Sequence, residues 1–471
     1  MFLETGHYYL SSFLIQRIVA LVYLTYFIDM LREYHPLYGN QGLKPLSERV
    51  GTNLVQEISP FKAADIDRLL YCLLWAGALL SLFALIGISE WFGTTISFII
   101  WLILWSLLII SYNSAEKFNE YNFSQLLLIE LGLIVILFSG LTREPLELAI
   151  WLCRWALFRL MVGAGLAKLG SESKWASHLR SHFETQPFPN TLSWFLYQTP
   201  KNIHYFAAKV VVYVQILVPL LYFFPQPYAA VGGLVTLGLQ LVIFPSGNYS
   251  KINLLAIAAA LSTINDRMLS WVVKMSISPG SPSEPLKVLS IIIFILVIIF
   301  SYKPMKIMIS GEFRFFKYTY FPIVNYYFLY TNIPSERRQI VIEGTDDELD
   351  GSPEWREYGF YERPNKPTER PRQVAPFNYN LEYHLHWEAE REQPSQWMEE
   401  LLLKLTDGSS RVDELTRDDP FPENSPKYAR AVMYKYEFTT YDERRQTGKW
   451  WNRRPLSVFH PPVSAITERN D

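Results

Sequence analysis

The chain has 471 residues, 50% of them hydrophobic and 15% aromatic, and a formal charge of −2. So even a balance carries no basic footprint and excludes an electrostatically driven nucleic-acid partner. Cys72 and Cys153 both lie inside apolar runs and no other cysteine is present, which excludes a disulfide framework.

Up to Ser301 the sequence is a succession of long apolar runs, and after Lys303 it turns polar, charged and rich in proline. Crossing roughly 30 Å of hydrocarbon takes about 20 mostly apolar residues. Candidate runs lie at 11–31, 69–88, 95–112, 123–141, 147–169, 205–224, 228–245, 252–265 and 286–303. The first has no basic region before it, carries Arg17 and ends at Asp29, so it reads as a retained span rather than a cleaved signal peptide. The run at 252–265 is short enough for a half-helix or a re-entrant segment. Breakers separate the runs: Gly93, SYNSAEKFNEYN at 111–122, Pro145, Pro225 with Pro227, SGNYS at 246–250 and SPGSPSEP at 278–285. The expected architecture is a polytopic all-α transmembrane bundle of about 8–9 spans over 1–303. A small soluble α+β domain is expected over 304–471.

Fixed charge at membrane depth is expensive unless it is paired or faces a wet interior. Glu130 sits in the middle of LLLIELGLIV, and the run at 147–169 carries Arg154, Arg159 and Lys168. Glu130 is therefore expected to pair with Arg154 or Arg159 inside the bundle, as a structural ion pair first and a proton or ligand site second. Helical spacing puts Trp151, Arg154, Phe158, Met161, Gly165 and Lys168 on one stripe. Gly163, Ala164, Gly165 and Ala167 let another helix approach closely. Lys168 has two readings: an ammonium that snorkels to the interface, or a desolvated base.

Beyond this helix, His178 and His182 stand four residues apart beside Glu184, a spacing that suits zinc but lacks a supporting ligand set. In ETQPFPNTLSWFLYQTP, Pro187 and Pro189 stop one helix and LSWFLY starts another with Trp194, Phe195 and Tyr197. That aromatic helix suits the membrane interface, as one wall of a client groove or as a re-entrant cover of the bundle.

In the tail, Gln339–Glu343 and Trp355–Tyr361 read as strands around an Asp- and Gly-rich turn, and Tyr428–Thr439 reads as a third. Residues 395–406 read as a short amphipathic helix with Trp397, Leu401 and Leu405 on one face. His384 and His386 would point to one side of a strand. Tyr428, Tyr434, Tyr436, Phe438, Trp450 and Trp451 form a dense aromatic set; half should be core, and any exposed remainder suits a client polypeptide. A stem ending at Ser301 is expected to stay inserted and stable without the tail. Sequons at Asn122 and Asn248 lie close to spans. Ser-His-Asp, Walker, Rossmann and CxxC patterns are absent, so no cofactor is expected.

Several blocks resemble the lipase maturation factor family: FRLMVGAGLAKL (158–169), HFETQPFPNTLSWFLYQTP (182–200), SGNYSKINLLAIA (246–258), VIEGTDD…WREYGFYERP (341–364), RPRQVAPFNYNLEY (370–383) and DDPFPENSPKYARAVMYKYEFTTYDERRQTGKWW (418–451). The likeness extends over essentially the whole chain. One departure is that the family block HQPRLDWQMW here reads FNYNLEYHLHW. The resemblance implies a multi-pass protein of the endoplasmic-reticulum membrane, or of the plasma membrane in a bacterium. It further implies a chaperone-like role in folding, dimer assembly and export of secreted lipases, with the tail on the lumenal side. The loops at 32–68, 113–122, 170–204 and 246–251 carry about ten Lys and Arg against about three on the other side, which by the positive-inside rule favours a cytosolic tail. The family topology is preferred, because the loop count turns on the short run at 252–265.

The basic apolar helix with Lys168 near its end and Trp175 soon after is also similar to the vitamin K-dependent carboxylase and its bacterial membrane relatives. The Asn-His pair expected on an earlier span of that group is replaced by YNFSQLLLIE. A membrane enzyme using Lys168 is thus the alternative to a maturation factor, and a transporter-like bundle lined by Glu130 and the arginines is a third reading.

Overall fold

Long apolar stretches without internal proline or glycine breaks fold as helices, because no water competes for their backbone groups in hydrocarbon. The computed structural model describes residues 7–45, 63–114, 123–139, 145–169, 175–249, 251–274, 283–311, 322–329, 333–408 and 411–465. The front part comprises α1 (Tyr9–Arg32), α2 (Ala63–Ile86), α3 (Thr94–Ser114), α4 (Phe123–Ile136) and α5 (Glu147–Leu169). It continues with α6 (Trp175–Thr185), α7 (Thr191–Tyr197), α8 (Lys201–Leu217), α9 (Tyr228–Ile243), α10 (Lys251–Leu261) and α11 (Glu284–Ser310). Among the described residues, seven helices are long and apolar enough to cross a membrane: α1, α2, α3, α5, α9, α11 and α8 with its 3-10 extension to Phe223.

The other two apolar helices are short. With 14 and 11 residues, α4 and α10 span about 21 and 17 Å. Both are buried over most of their length and packed among α1, α5 and neighbouring helices. A helix too short for the bilayer is tolerated there because protein, not lipid, covers its ends. The run at 252–265 is therefore a central helix, with Lys251 at one end of the bundle and Ser262 at the other. The chain is a multi-pass membrane protein.

The helix expected to end at 303 continues through Pro304 to Ser310. Residues 322–329 then return into the bundle without regular secondary structure, with Asn325, Tyr326 and Tyr327 buried. The boundary drawn at 303/304 thus falls inside α11, and the first described tail residues belong to the bundle. Composition hid this segment because PIVNYYFL is too short to read as a span.

The C-terminal module holds an antiparallel sheet of order β2-β1-β3-β4, made of β1 (Arg337–Thr345), β2 (Arg356–Glu357), β3 (Tyr428–Phe438) and β4 (Trp451–Val463). It also carries α12 (Asn380–Glu388), α13 (Gln396–Thr406) and α14 (Tyr441–Thr447). β1 pairs with β3 from Arg337↔Tyr436 to Thr345↔Tyr428, and β3 pairs with β4 from Ala429↔Val463 to Phe438↔Trp451. The stretch expected as a strand over Trp355–Tyr361 pairs only at Arg356 and Glu357. β4 contains Pro455, Pro461 and Pro462, which argue against a central strand; on the sheet edge the missing N–H groups break no ladder. His384 and His386 lie on a helix instead of a strand, because Leu381 and Leu385, one turn apart, are both buried.

Candidate functional site

Two constructions account for the polar residues singled out in the sequence. The first lies within the bundle. Arg159 is fully buried and forms an ion pair with Glu130. Its Nη1 also donates to the Asn325 carbonyl at 2.6 Å, and the Tyr327 hydroxyl donates to Glu130 Oε2 at 3.0 Å. Farther along α5, Lys168 Nζ donates to the carbonyls of Ala164 (3.0 Å) and Leu329 (2.9 Å) and lies 4.9 Å from the Trp175 ring centroid. Lys168 is buried, so it does not snorkel outward. A Cβ on Gly163 would overlap the Tyr327 carbonyl oxygen, while one on Gly165 would meet Ile216 of α8 at 2.6 Å. The small residues of α5 thus admit a helix on one side and the irregular backbone of residues 322–329 on the other. Ion pair, lysine and glycine together latch residues 322–329 into the bundle.

Arg154 is not part of that latch. Its guanidinium donates to the carbonyls of Ser262 (3.0 Å) and Tyr222 (3.1 Å) and to the Tyr8 hydroxyl (2.9 Å), at the bundle end opposite the C-terminal module. Arg154 and Lys168 thus serve opposite ends of α5. Next to the tail-side end, His182 Nε2 lies 2.7 Å from the Tyr249 hydroxyl, with the two rings stacked. Burial, with the charge of Lys168, pushes His182 down to about 3, so it is neutral. His178 is half-buried, and no group of three or more His, Cys, Asp and Glu suited to a metal occurs among the described residues.

The second construction is a platform at the tail-side end of the bundle. The prolines of ETQPFPN turn the chain between α6 and α7, and the carbonyls of Gln186, Pro187 and Phe188 become acceptors. Arg337, buried at the start of β1, donates to the carbonyls of Gln186 (2.6 Å) and Pro187 (3.1 Å). Asn190 caps α7 and also donates to Gln373 Oε1 at 2.7 Å. Asn248 makes four bonds: its Nδ2 donates to the carbonyls of Phe188 and Arg372, both at 2.9 Å, and its Oδ1 accepts from Val374 N and Ala375 N. That amide is buried and saturated, so the Asn248 sequon is structural; Asn122 lies outside the described residues.

Carboxylates complete the platform. Glu33, just past α1, accepts from Asn380 N (2.9 Å), Asn380 Nδ2 (2.7 Å) and Leu381 N (3.1 Å) at the start of α12. Burial pushes Glu33 up to about 8 against the pull of these donors. Glu184 Oε1 accepts from Phe438 N at 2.6 Å, and burial pushes it up to about 7. Asp29 pairs with Lys251, and Lys44 with Glu400 of α13.

The aromatic residues expected to meet a client mostly join the two parts instead. Trp194, Tyr436 and Trp451 are fully buried and Trp450 nearly so, in one cluster that α7 shares with β3 and β4. Trp194 and Trp450 meet edge to face at 5.3 Å, and Phe438 stacks on Trp451 at 4.3 Å. Of the set, Phe195 is exposed, and Tyr197 and Tyr434 are half-buried. Residues 182–200 therefore form the seat of the C-terminal module. Glu33 and Arg337 escaped the sequence reading, and Asp29 and Asn248 figured there only as a span end and a sequon; the charged cluster DMLRE at the end of the first apolar run was the available signal for Asp29 and Glu33.

Fold and site define a class: a membrane bundle that latches a returning segment and carries an α+β module fixed to one end. The family model described as "Lipase maturation factor transmembrane domain" matches residues 10–271, and "Lipase maturation factor C-terminal domain" matches 323–461. The chain belongs to the lipase maturation factor family. It is similar to lipase maturation factor 1 of Mus musculus, 26% identical over 98% of this chain and 88% of the relative. The Homo sapiens counterpart is 25% identical over 98% and 89%, and lipase maturation factor 2 of Xenopus tropicalis is 23% identical over 94% and 80%. No solved structure matches. The second family match begins at residue 323, within the latched segment, rather than at the polar turn near 304.

Proposed function

We propose that this protein is a chaperone-like maturation factor for secreted lipases, assisting their folding, dimer assembly and export. The observation that supports this reading is the likeness to lipase maturation factors over nearly the whole chain, both domains included. The membrane is that of the endoplasmic reticulum in a eukaryotic cell or the plasma membrane in a bacterium, with the C-terminal module on the lumenal or extracytoplasmic side. Several basic residues that weighed for a cytosolic tail have fixed partners: Lys44 with Glu400, Lys251 with Asp29, and Arg180 with the Tyr197 carbonyl. A client would meet the β4 edge, where residues 454–458 are all exposed and Leu456 and Val458 offer apolar surface. The enzyme alternative is less well supported, since the Lys168 ammonium is held by two carbonyls and an indole face.

The deciding experiment removes the protein from cells that secrete a lipase and measures activity per unit of lipase antigen. Specific activity should fall while synthesis is unchanged. Full specific activity would overturn the reading, and full rescue by Lys168→Arg, which keeps the charge but offers almost no free base, would remove the enzyme alternative.

A further inference from the structure

The seat described above leaves one apolar face uncovered. Leu192 and Phe195, one turn apart on α7, are 40% and 39% exposed. Tyr441, the first residue of α14, is 53% exposed and lies 6.3 Å from Phe195, ring centroid to centroid. What covers this face is decided by its position. Only Gln198–Pro200 separate α7 from α8, and α8 exposes Ile203, Phe206, Val210, Tyr213 and Leu217 as one continuous stripe from its first turn. That stripe at helical spacing is a lipid-facing surface, so hydrocarbon begins at the start of α8. α7 therefore lies at headgroup depth, where aromatic and leucine side chains of interfacial helices sit. Because Tyr441 packs on α7, the C-terminal module is brought to the same level.

The charge around this face fits one side of the bilayer chemistry. Residues 440–454 carry Arg444, Arg445, Lys449, Arg453 and Arg454 against Asp442 and Glu443. Glu443 is tied to the Thr440 N–H by the capping box of α14, and Arg453 is paired with Glu357. Arg444 lies over Trp450 at 3.7 Å and over Trp194 of α7 at 5.1 Å, and Arg445 stands one turn from Tyr441 on α14. Arg445 and Lys449 are exposed. An aromatic wedge flanked by exposed cations is the composition that binds anionic headgroups.

We propose that the C-terminal module rests on the bilayer surface through Leu192, Phe195, Tyr441, Arg445 and Lys449, a face that takes anionic phospholipid. The proposal depends on the bundle being embedded and not on the identity of any client. It also divides the exposed surface: this face belongs to lipid, and the β4 edge, on the other side of the sheet from β1, stays free.

The test uses full-length Cys72→Ser protein in lipid nanodiscs, labelled with bimane at Gln446→Cys on α14 or at Ser352→Cys as control. Ser352 lies beyond the end of β1 that pairs with Tyr428, and the 11 residues of β3 put it about 35 Å from α14. Phosphatidylcholine spin-labelled on its headgroup should quench the label at 446 several-fold more than the label at 352. Moving the spin label onto phosphatidylglycerol at the same mole fraction should increase quenching at 446, by up to about five-fold in lipid occupancy for each cation engaged. Arg445→Glu with Lys449→Glu should remove that increment while the melting temperature in pure phosphatidylcholine stays unchanged. If the reversal does not fold, Arg445→Gln with Lys449→Gln gives the same readout. Equal quenching at 446 and 352, or a phosphatidylglycerol response that survives charge removal, overturns the proposal. So does a label at 446 blind to lipid yet shielded by a purified lipase.

Discussion

Gly163 of α5 faces the carbonyl of Tyr327 so closely that the oxygen occupies the place a Cβ would take. The contact joins a span to a segment more than 160 positions away, which has no regular secondary structure of its own. Gly163→Ala must push residues 322–329 away from Arg159 and Glu130. Overpacking of this kind costs about 1–3 kcal/mol, so the melting temperature should drop by several degrees. Protease cleavage near residue 330 should accelerate in parallel. Gly238, with nothing near its Cβ position, is the control: Gly238→Ala should leave both unchanged.

The ion pair beneath that contact makes a separate prediction. Arg159 is 0% and Glu130 2% exposed, and losing one member of such a pair strands the other charge, at about 3–5 kcal/mol. Arg159→Met alone should therefore reduce the folded yield severely. Arg159→Met with Glu130→Leu should recover much of it, since both charges leave together. Tyr327→Phe deletes only the hydroxyl bond to the Glu130 carboxylate and should cost about 1.5–3 kcal/mol. Equal damage from the single and double replacements, measured by thermal unfolding in detergent, would exclude the pair as the source of stability.

Docking of the C-terminal module should depend on pH. Glu33 is pushed up to about 8 and Glu184 up to about 7, in both cases by burial first. A carboxyl whose affinity for a proton rises on docking favours the docked state at low pH. That advantage is lost as pH climbs from the ordinary carboxylate range through these values, by at most about 1.4 kcal/mol per pH unit for each group. Asp29, Asn380 and Leu381 face Glu33, while Phe438, Glu437, Arg337 and Arg180 surround Glu184. The unfolding midpoint of the module should thus be lower at pH 8.5 than at pH 6. Glu33→Gln keeps one acceptor oxygen and no charge, and should flatten the dependence; an unchanged slope in that variant would remove Glu33 from the account.

The spans were legible because each apolar run has the length and composition that hydrocarbon demands, and the seven long ones stand close to where the sequence put them. β3 was legible for a local reason too, its alternating pattern, whereas β4 was hidden by prolines that only its edge position tolerates. Glu130 and Arg159 could be matched from the cost of burying charge. The docking seat could not, because its energy comes from backbone carbonyls and amides meeting Arg337, Asn248 and Glu33 across long sequence distances. Aromatic residues such as Trp194 and Trp451 look alike in sequence whether they face a client or one another.

Where the tail can be removed follows from the latch and the seat together. A stem ending at Ser301 lacks Asn325 and Tyr327, which accept from Arg159 and donate to Glu130, and it lacks the Leu329 carbonyl held by Lys168. It also truncates α11 by nine positions. Such a stem keeps its buried charges and loses part of their hydrogen bonding, so it should insert yet melt well below the full chain. A stem ending at Leu329 restores those partners and should recover most of the loss. What it still exposes is Trp194 with its neighbours on α7, so it should aggregate unless the seat is made polar, as in Trp194→Gln. Thermal melting and size-exclusion profiles of the two stems separate these effects. Equal melting of the stems ending at Ser301 and Leu329 would show that residues 322–329 are passengers in the bundle rather than part of what holds it together.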